Sequence, residues 1–277
     1  MNIIEEVIAK KAGVDRVKVG AVLSVKVDLA IAHDVTGPMA VDQFEKIGVD
    51  KVFDPKKVAF VIDHNIPCSS VDSRIQHLTI MNFAKKVGAR LYSQGDGVIH
   101  QVVAEEGLYK KGDIVVGADS HTCTAGAYGA IAIPVGATEL AAVMALGQID
   151  LQIPSTYIID VQGKLNSGVY AKDVILHILG RFGTNGFTDK AVIFSGDTIL
   201  SMAPEDKMTV ANMAIEMGAM IGYVDQGDEI GEVEQIHCID AADIVPVAAC
   251  PSSPANVKPI KDIEGLPISR VVIGSCT

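Results

Sequence analysis

An α/β protein of three-layer α/β/α domains with mainly parallel sheets is what this sequence predicts, on three observations. Short unbroken aliphatic runs recur, at Leu29–Ala32, Val58–Ile62 and Ile114–Val116, and each ends abruptly at polar residues. Runs of that length bounded by turn signals fit strands buried on both faces, as in parallel sheets covered by helices. Segments with helical spacing alternate with them, and 26 glycines against 5% aromatics permit the many turns this alternation needs.

The N-terminal "MNIIEEVIAKKAG" reads as an amphipathic helix; Glu5 and Glu6 interrupt its apolar run, so it is not a signal peptide. Leu29–Ala32 then runs into His33-Asp34, with Asp34 expected to cap the helix "TGPMAVDQFEKIG". Val58–Ile62 runs into Asp63-His64. The helix that follows has Ser70 or Asp72 as N-cap, apolar residues at Ile75, Leu78, Met81 and Phe83, and Gly88 as a stop. Ile114–Val116 passes through Gly117 to Asp119-Ser120-His121, and "GATELAAVMALGQI" is the next helix. "STYIIDVQGKL" opens a second unit, continued by "AKDVILHILGRFG", "AVIFSG" and the helix "KMTVANMAIEMGAMIG". "ACPSSPANVKPIKDIEG", with three prolines, reads as a linker, and "RVVIGSCT" as a final strand. Domains are expected at 1–150 and 151–265, with 266–277 starting a third.

Composition narrows the function. A net charge of −11 leaves no basic stripe for phosphates, so no nucleic-acid partner is expected. No stretch approaches the ~18 apolar residues of a membrane span. Five scattered cysteines without an export signal do not make a disulfide framework, and a reduced, cytoplasmic protein is the expectation.

In open α/β sheets the ligand crevice lies outside the carboxyl ends of the strands, so the polar clusters at four strand ends should converge. Asp63 beside His64, and Asp119 two residues before His121, are carboxylate–imidazole neighbours of the kind that sets a histidine's tautomer for acid–base work. One such pair is more often a capped turn; two, each ending the same strand pattern, favour function. His33 is expected to face the crevice. Asn212 and Glu216, four apart on a helical pattern, make a polar spot among Met208, Met213, Met217 and Met220. His77, His100, His177 and His237 read as ordinary residues, and Cys68, Cys123, Cys238 and Cys250 lack ligand spacing. Two competing readings are a divalent-cation site of His33, His64 and His121 with Asp63 or Asp119, and a non-catalytic binding module.

Taken in order, "AHDVTGPMA", "VIDHNIP", "VGADSHTCTAGAYGAIAIPVGATE", "ANMAIEMGAMIG" and "VVIGSCT" resemble the aconitase family of iron–sulfur hydro-lyases over essentially the whole chain. Aconitase itself has a glutamine where this chain has His33, so the resemblance points to the family's dehydratase branch. It implies a dehydration–rehydration of a malate-type acid, foremost 2-isopropylmalate to 3-isopropylmalate, with homocitrate- and dimethylmalate-type acids as alternatives. It also implies one 4Fe–4S cluster on three cysteines, whose open iron acts as a Lewis acid.

Residue by residue, the resemblance makes Cys276 the first cluster ligand and Asp63–His64 the pair that protonates the departing hydroxyl. Asp119 and His121 become a second acid–base pair, and Glu216 borders the cluster with Asn212. Ser120, Asn212 and His33 become substrate contacts. Two further cluster cysteines are expected beyond Thr277. A small-subunit polypeptide carrying the swivelling domain is expected to supply a serine base and the arginines for a di- or tricarboxylic hydroxy acid. On that expectation the chain is a truncated large subunit, without its cluster and inactive alone.

Overall fold

The computed structural model describes residues 1–276. In chain order its first part runs α1 (Ile3–Ala12), β1 (Val22–Lys26), β2 (Leu29–His33), α2 (Gly37–Ile47), β3 (Val58–Val61) and α3 (Val71–Val87). It continues through β4 (Arg90–Tyr92), α4 (Ile99–Glu105), β5 (Ile114–Gly117), β6 (Ile131–Pro134), α5 (Ala137–Leu146) and β7 (Gln148–Gln152). Five strands in the order β4-β3-β2-β5-β6 form one parallel sheet, and β1 pairs antiparallel with β7 as a separate ribbon.

The aliphatic runs are strands because both of their faces are covered. Ala30, Ala32, Val58, Phe60, Ile114 and Val116 enter one core with Phe44 of α2, Ile80 of α3 and Leu140 of α5. Their alternates Leu29, Ile31, Ala59, Val61 and Val115 enter another with Ile99 and Val103 of α4. The two-residue period of a strand sends neighbours to opposite faces, so an unbroken apolar run needs two covers. Phe60, fully buried, meets Phe83 edge-on at 5.8 Å; one such side chain contributes about 1.5–3 kcal/mol by burial. Ser70 caps α3 reciprocally with Ser73, as expected.

The second part contains β8 (Thr156–Gln162), α6 (Ala171–Phe182), β9 (Ala191–Ser195), α7 (Asp197–Leu200), α8 (Pro204–Asn212), β10 (Ile221–Val224), β11 (Gln235–Asp240), β12 (Val247–Ala249) and β13 (Val257–Pro259). The order β10-β9-β8-β11 is again parallel. One face packs under α6 and α8 through Ile159, Val161, Val192 and Phe194. The other, through Ile158, Ile193, Ile221 and Tyr223, joins the first sheet's own core. The apolar interior is therefore continuous between the sheets.

Four expectations are corrected. Asp34 does not cap α2; Thr36 holds the N-cap position, and its hydroxyl donates to the Ala118 carbonyl at 2.5 Å. The helix expected through Gly222 ends at Asn212 and tightens into a 3-10 turn over Met213–Met217, and its last two residues open β10, where Gly222 lies against Ala214 too closely for any Cβ. The proline-bearing "linker" contains the antiparallel hairpin β12–β13, held because Val257 packs on Gly180 of α6 and the Val247 N–H donates to Asp173. The final strand does not form: residues 266–276 are neither helix nor strand, and Val271, Val272 and Ile273 are 74%, 85% and 96% exposed. A strand is stable only on a neighbour's ladder, and no described strand pairs with this segment. Thr277 lies outside the described residues.

Candidate active site

Because β2, β3 and β5 are parallel neighbours, their carboxyl ends share one edge, and the polar residues that end them meet there. Asp63, His64, His100, Asp119, Ser120, His121 and Cys276 line a cavity of about 420 Å³. A neighbouring cavity of about 670 Å³ shares His64, Asp119 and Ser120 with it and adds His33. The expected convergence is observed, and it includes the Cys276 segment although that segment is not a strand.

Within the crevice each imidazole is tied to a carboxylate. His64 Nδ1 lies 2.7 Å from Asp63 Oδ1, and the other Asp63 oxygen accepts the Ile99 N–H that opens α4. This hydrogen bond raises the His64 pKa above its ordinary 6.5. The His33 ring stacks on His64 at 3.7 Å. His33 Nδ1 accepts the Val35 N–H, which makes Nε2 the protonated nitrogen, 3.5 Å from Asp119 Oδ2. Burial, and then the neighbouring His64 charge, lower the His33 pKa. The basicities of the two stacked imidazoles are thus driven apart, His64 upward and His33 downward, the arrangement that separates acid from base roles.

Asp119 joins three elements. Its Oδ1 meets His100 Nε2 at 2.9 Å and accepts the His121 N–H at 2.7 Å. Burial opposes ionisation, yet these contacts hold its carboxyl well below the usual range. His121 Nε2 reaches Glu216 Oε1 at 3.3 Å, and its Nδ1 reaches Ser120 Oγ at 3.1 Å. Glu216 comes from the second sheet's unit, and close backbone contact permits this approach: a Cβ on Gly126 would fall 1.8 Å from the Gly222 carbonyl oxygen. Asn212 lies deeper in the fold. Its amide donates to Thr124 at 2.9 Å in a buried position, and it lines neither cavity.

Sequence reasoning missed the supports. Asp34, with no exposed surface, accepts the N–H groups of Asp63, His64 and Asn65 at 3.0, 2.8 and 2.9 Å. Burial works against its charge, but these donors pull its pKa down to about 2. His77 Nε2 lies 3.2 Å from Asp34 Oδ2, and His100 holds Asp119. His77 and His100, read as ordinary, are both part of the scaffold; no spacing signal joins either to a partner 43 or 19 residues away.

The divalent-cation alternative has a partial counterpart. Ligand atoms of His33, Asp34, Asp63 and His64 lie within 4.8 Å of one another, without His121. Both carboxylates are already occupied by backbone N–H groups, which argues for a bonded scaffold over an ion cage. Among the described cysteines, Cys276 alone lines either cavity. Cys123 is fully buried, donates to the Asn212 carbonyl, and has its thiol pushed by burial up to about 12, so it is no thiolate ligand. The donor set therefore fits one corner of a cluster.

Fold and site together define a class: an α/β protein whose parallel-sheet edge gathers imidazole–carboxylate pairs around one crevice. The chain belongs to the aconitase family, since the family model described as "Aconitase family (aconitate hydratase)" matches residues 5–232. It is 39% identical over 298 residues to a probable 3-isopropylmalate dehydratase large subunit of Methanothermobacter thermautotrophicus, covering 100% of this chain and 71% of that protein. The Aquifex aeolicus 3-isopropylmalate dehydratase large subunit is 38% identical, with 100% and 69% covered. A probable methanogen homoaconitase large subunit of M. thermautotrophicus is 37% identical, with 100% and 71% covered.

Proposed function

We propose that this chain is the large-subunit component of a hydro-lyase that isomerises 2-isopropylmalate to 3-isopropylmalate by dehydration and rehydration. What carries the reading is the pairing, on the walls of one cavity, of the Asp63-bonded His64 with the Cys276 thiol. Cys276 would be one ligand of a 4Fe–4S cluster whose other thiolates come from outside residues 1–276. Bound there, the cluster supplies a Lewis acid that weakens the bond to the departing hydroxyl.

This chain's residues handle protons and orientation. His64, with Nδ1–H on Asp63, presents Nε2–H to the departing hydroxyl, which leaves as water; in the reverse direction it takes the proton back. His33 stays neutral and holds the His64 ring by stacking. His121, positioned between Ser120 and Glu216, is the imidazole of the proposed second acid–base pair, with Asp119 fixing the start of its turn. Ser120 and His33 are the proposed substrate contacts. Asn212 holds Thr124 from behind, an indirect role in place of the expected substrate contact. The base that removes the carbon-bound proton is assigned to a small-subunit partner, and the chain alone is inactive.

A second reading, homoaconitase, has the 37%-identical relative in its favour. The test is anaerobic assembly with a small subunit, the polypeptide segment that carries the other cluster thiolates, iron and sulfide, followed by ultraviolet assay of the unsaturated intermediate. Formation of isopropylmaleate from isopropylmalate is the expected result; turnover of homocitrate alone favours the second reading, and turnover of neither overturns both.

A further inference from the structure

Behind the crevice lies a constellation whose thiol the hydro-lyase reading does not use. Cys68 Sγ lies 3.2 Å from His77 Nδ1, and His77 Nε2 lies 3.2 Å from Asp34 Oδ2. His77 and Asp34 are buried at 1% and 0% exposure, whereas Cys68 is half-buried and reachable. Asp34 accepts from three backbone N–H groups and is ionised, so its Oδ2 calls for a proton on His77 Nε2. That tautomer turns the bare Nδ1 toward the Cys68 sulfur, as a base aimed at a thiol. Cys238 and Cys250, by contrast, have no imidazole partner among the described contacts.

We propose that Cys68 is a peroxide-modification site, activated by His77 and Asp34. His77 Nδ1 takes the thiol proton, the sulfur attacks one peroxide oxygen, and the O–O bond breaks. The sulfur, oxidised by two electrons, keeps that oxygen as a sulfenic acid; the other leaves as hydroxide, collects the proton from His77 and departs as water. The site stands apart from the cluster chemistry and does not depend on the hydro-lyase reading. Asp34 also holds the Asp63–His64 turn, so the modified sulfur sits two side chains from the crevice.

The test treats the full chain with limiting hydrogen peroxide, traps sulfenic acid with dimedone and maps all five cysteines by mass spectrometry. Cys68 is expected to label at least about tenfold faster than the more exposed Cys238, and His77→Gln to remove that advantage. Cys123, fully buried, reports folding by staying unlabelled. Labelling of Cys68 no faster than Cys238, or unchanged in His77→Gln while Cys123 stays silent, overturns the proposal. Should the variant expose Cys123, nitrogen-15 spectra of the native histidines decide: a protonated His77 Nε2 supports the site, and a bare Nε2 overturns it.

Discussion

Replacing Asp34 with asparagine removes one charge and leaves the shape of the side chain intact. The native carboxylate is fully buried, and its three backbone donors outweigh burial to hold its pKa at about 2 against an ordinary 3.8. A shift of that size corresponds to about 2–3 kcal/mol in favour of the ionised folded state. Because the folded value is the lower one, this contribution is complete above 3.8 and is lost as pH falls through about 2. Asparagine keeps Oδ1 for the Asp63 and His64 N–H groups, but its amide nitrogen meets the Asn65 N–H and His77 donor to donor. Asp34→Asn should therefore be less stable by about 2–3 kcal/mol near neutral pH, with the gap closing towards pH 2. Urea unfolding of both proteins across that range measures it. A neutral-pH gap below about 1 kcal/mol, or one that does not narrow in acid, refutes the reasoning.

Three further outcomes follow from the same geometry. Gly126→Ala drives a methyl group into the Gly222 carbonyl and should cost about 3 kcal/mol or more, seen as a lowered unfolding midpoint; a neutral effect contradicts the close approach. Histidine resonances should show His64 titrating above 6.5 and His33 below it, and His64 should fall towards the ordinary value in Asp63→Asn. The raised His64 value adds stability that is complete below 6.5 and lost as pH rises through the folded value. In the assembled enzyme Glu216→Gln should lower kcat by about 10²-fold with a smaller change in KM, by loosening His121; equal loss in both points to substrate binding instead.

The strands and the direction of their polar ends were legible because burial on two faces leaves an unbroken aliphatic run, and β2, β3 and β5 each carry one. Asp63, His64, Asp119 and His121 were legible because they sit within a few residues of those runs. Asp34, His77 and His100 were not, since their partnerships arise from packing α3 and α4 against the sheet edge, and nothing local marks a buried imidazole as a carboxylate's partner. The residues "VVIGS" read as a strand on composition alone. Composition gives the propensity for a strand but not the neighbour it must pair with. The tightening of the turn at Met213 was illegible for a related reason: the helical spacing of Asn212 and Glu216 is local, whereas the close approach of Gly222 to Ala214 is set by packing.

The most direct measurement replaces Cys276 with serine in the assembled enzyme and compares it with Cys238→Ser. The account predicts that Cys276→Ser loses the near-400 nm cluster absorbance and turnover while its circular dichroism is unchanged, and that Cys238→Ser keeps all three. A Cys276→Ser enzyme with a full cluster and undiminished turnover contradicts it.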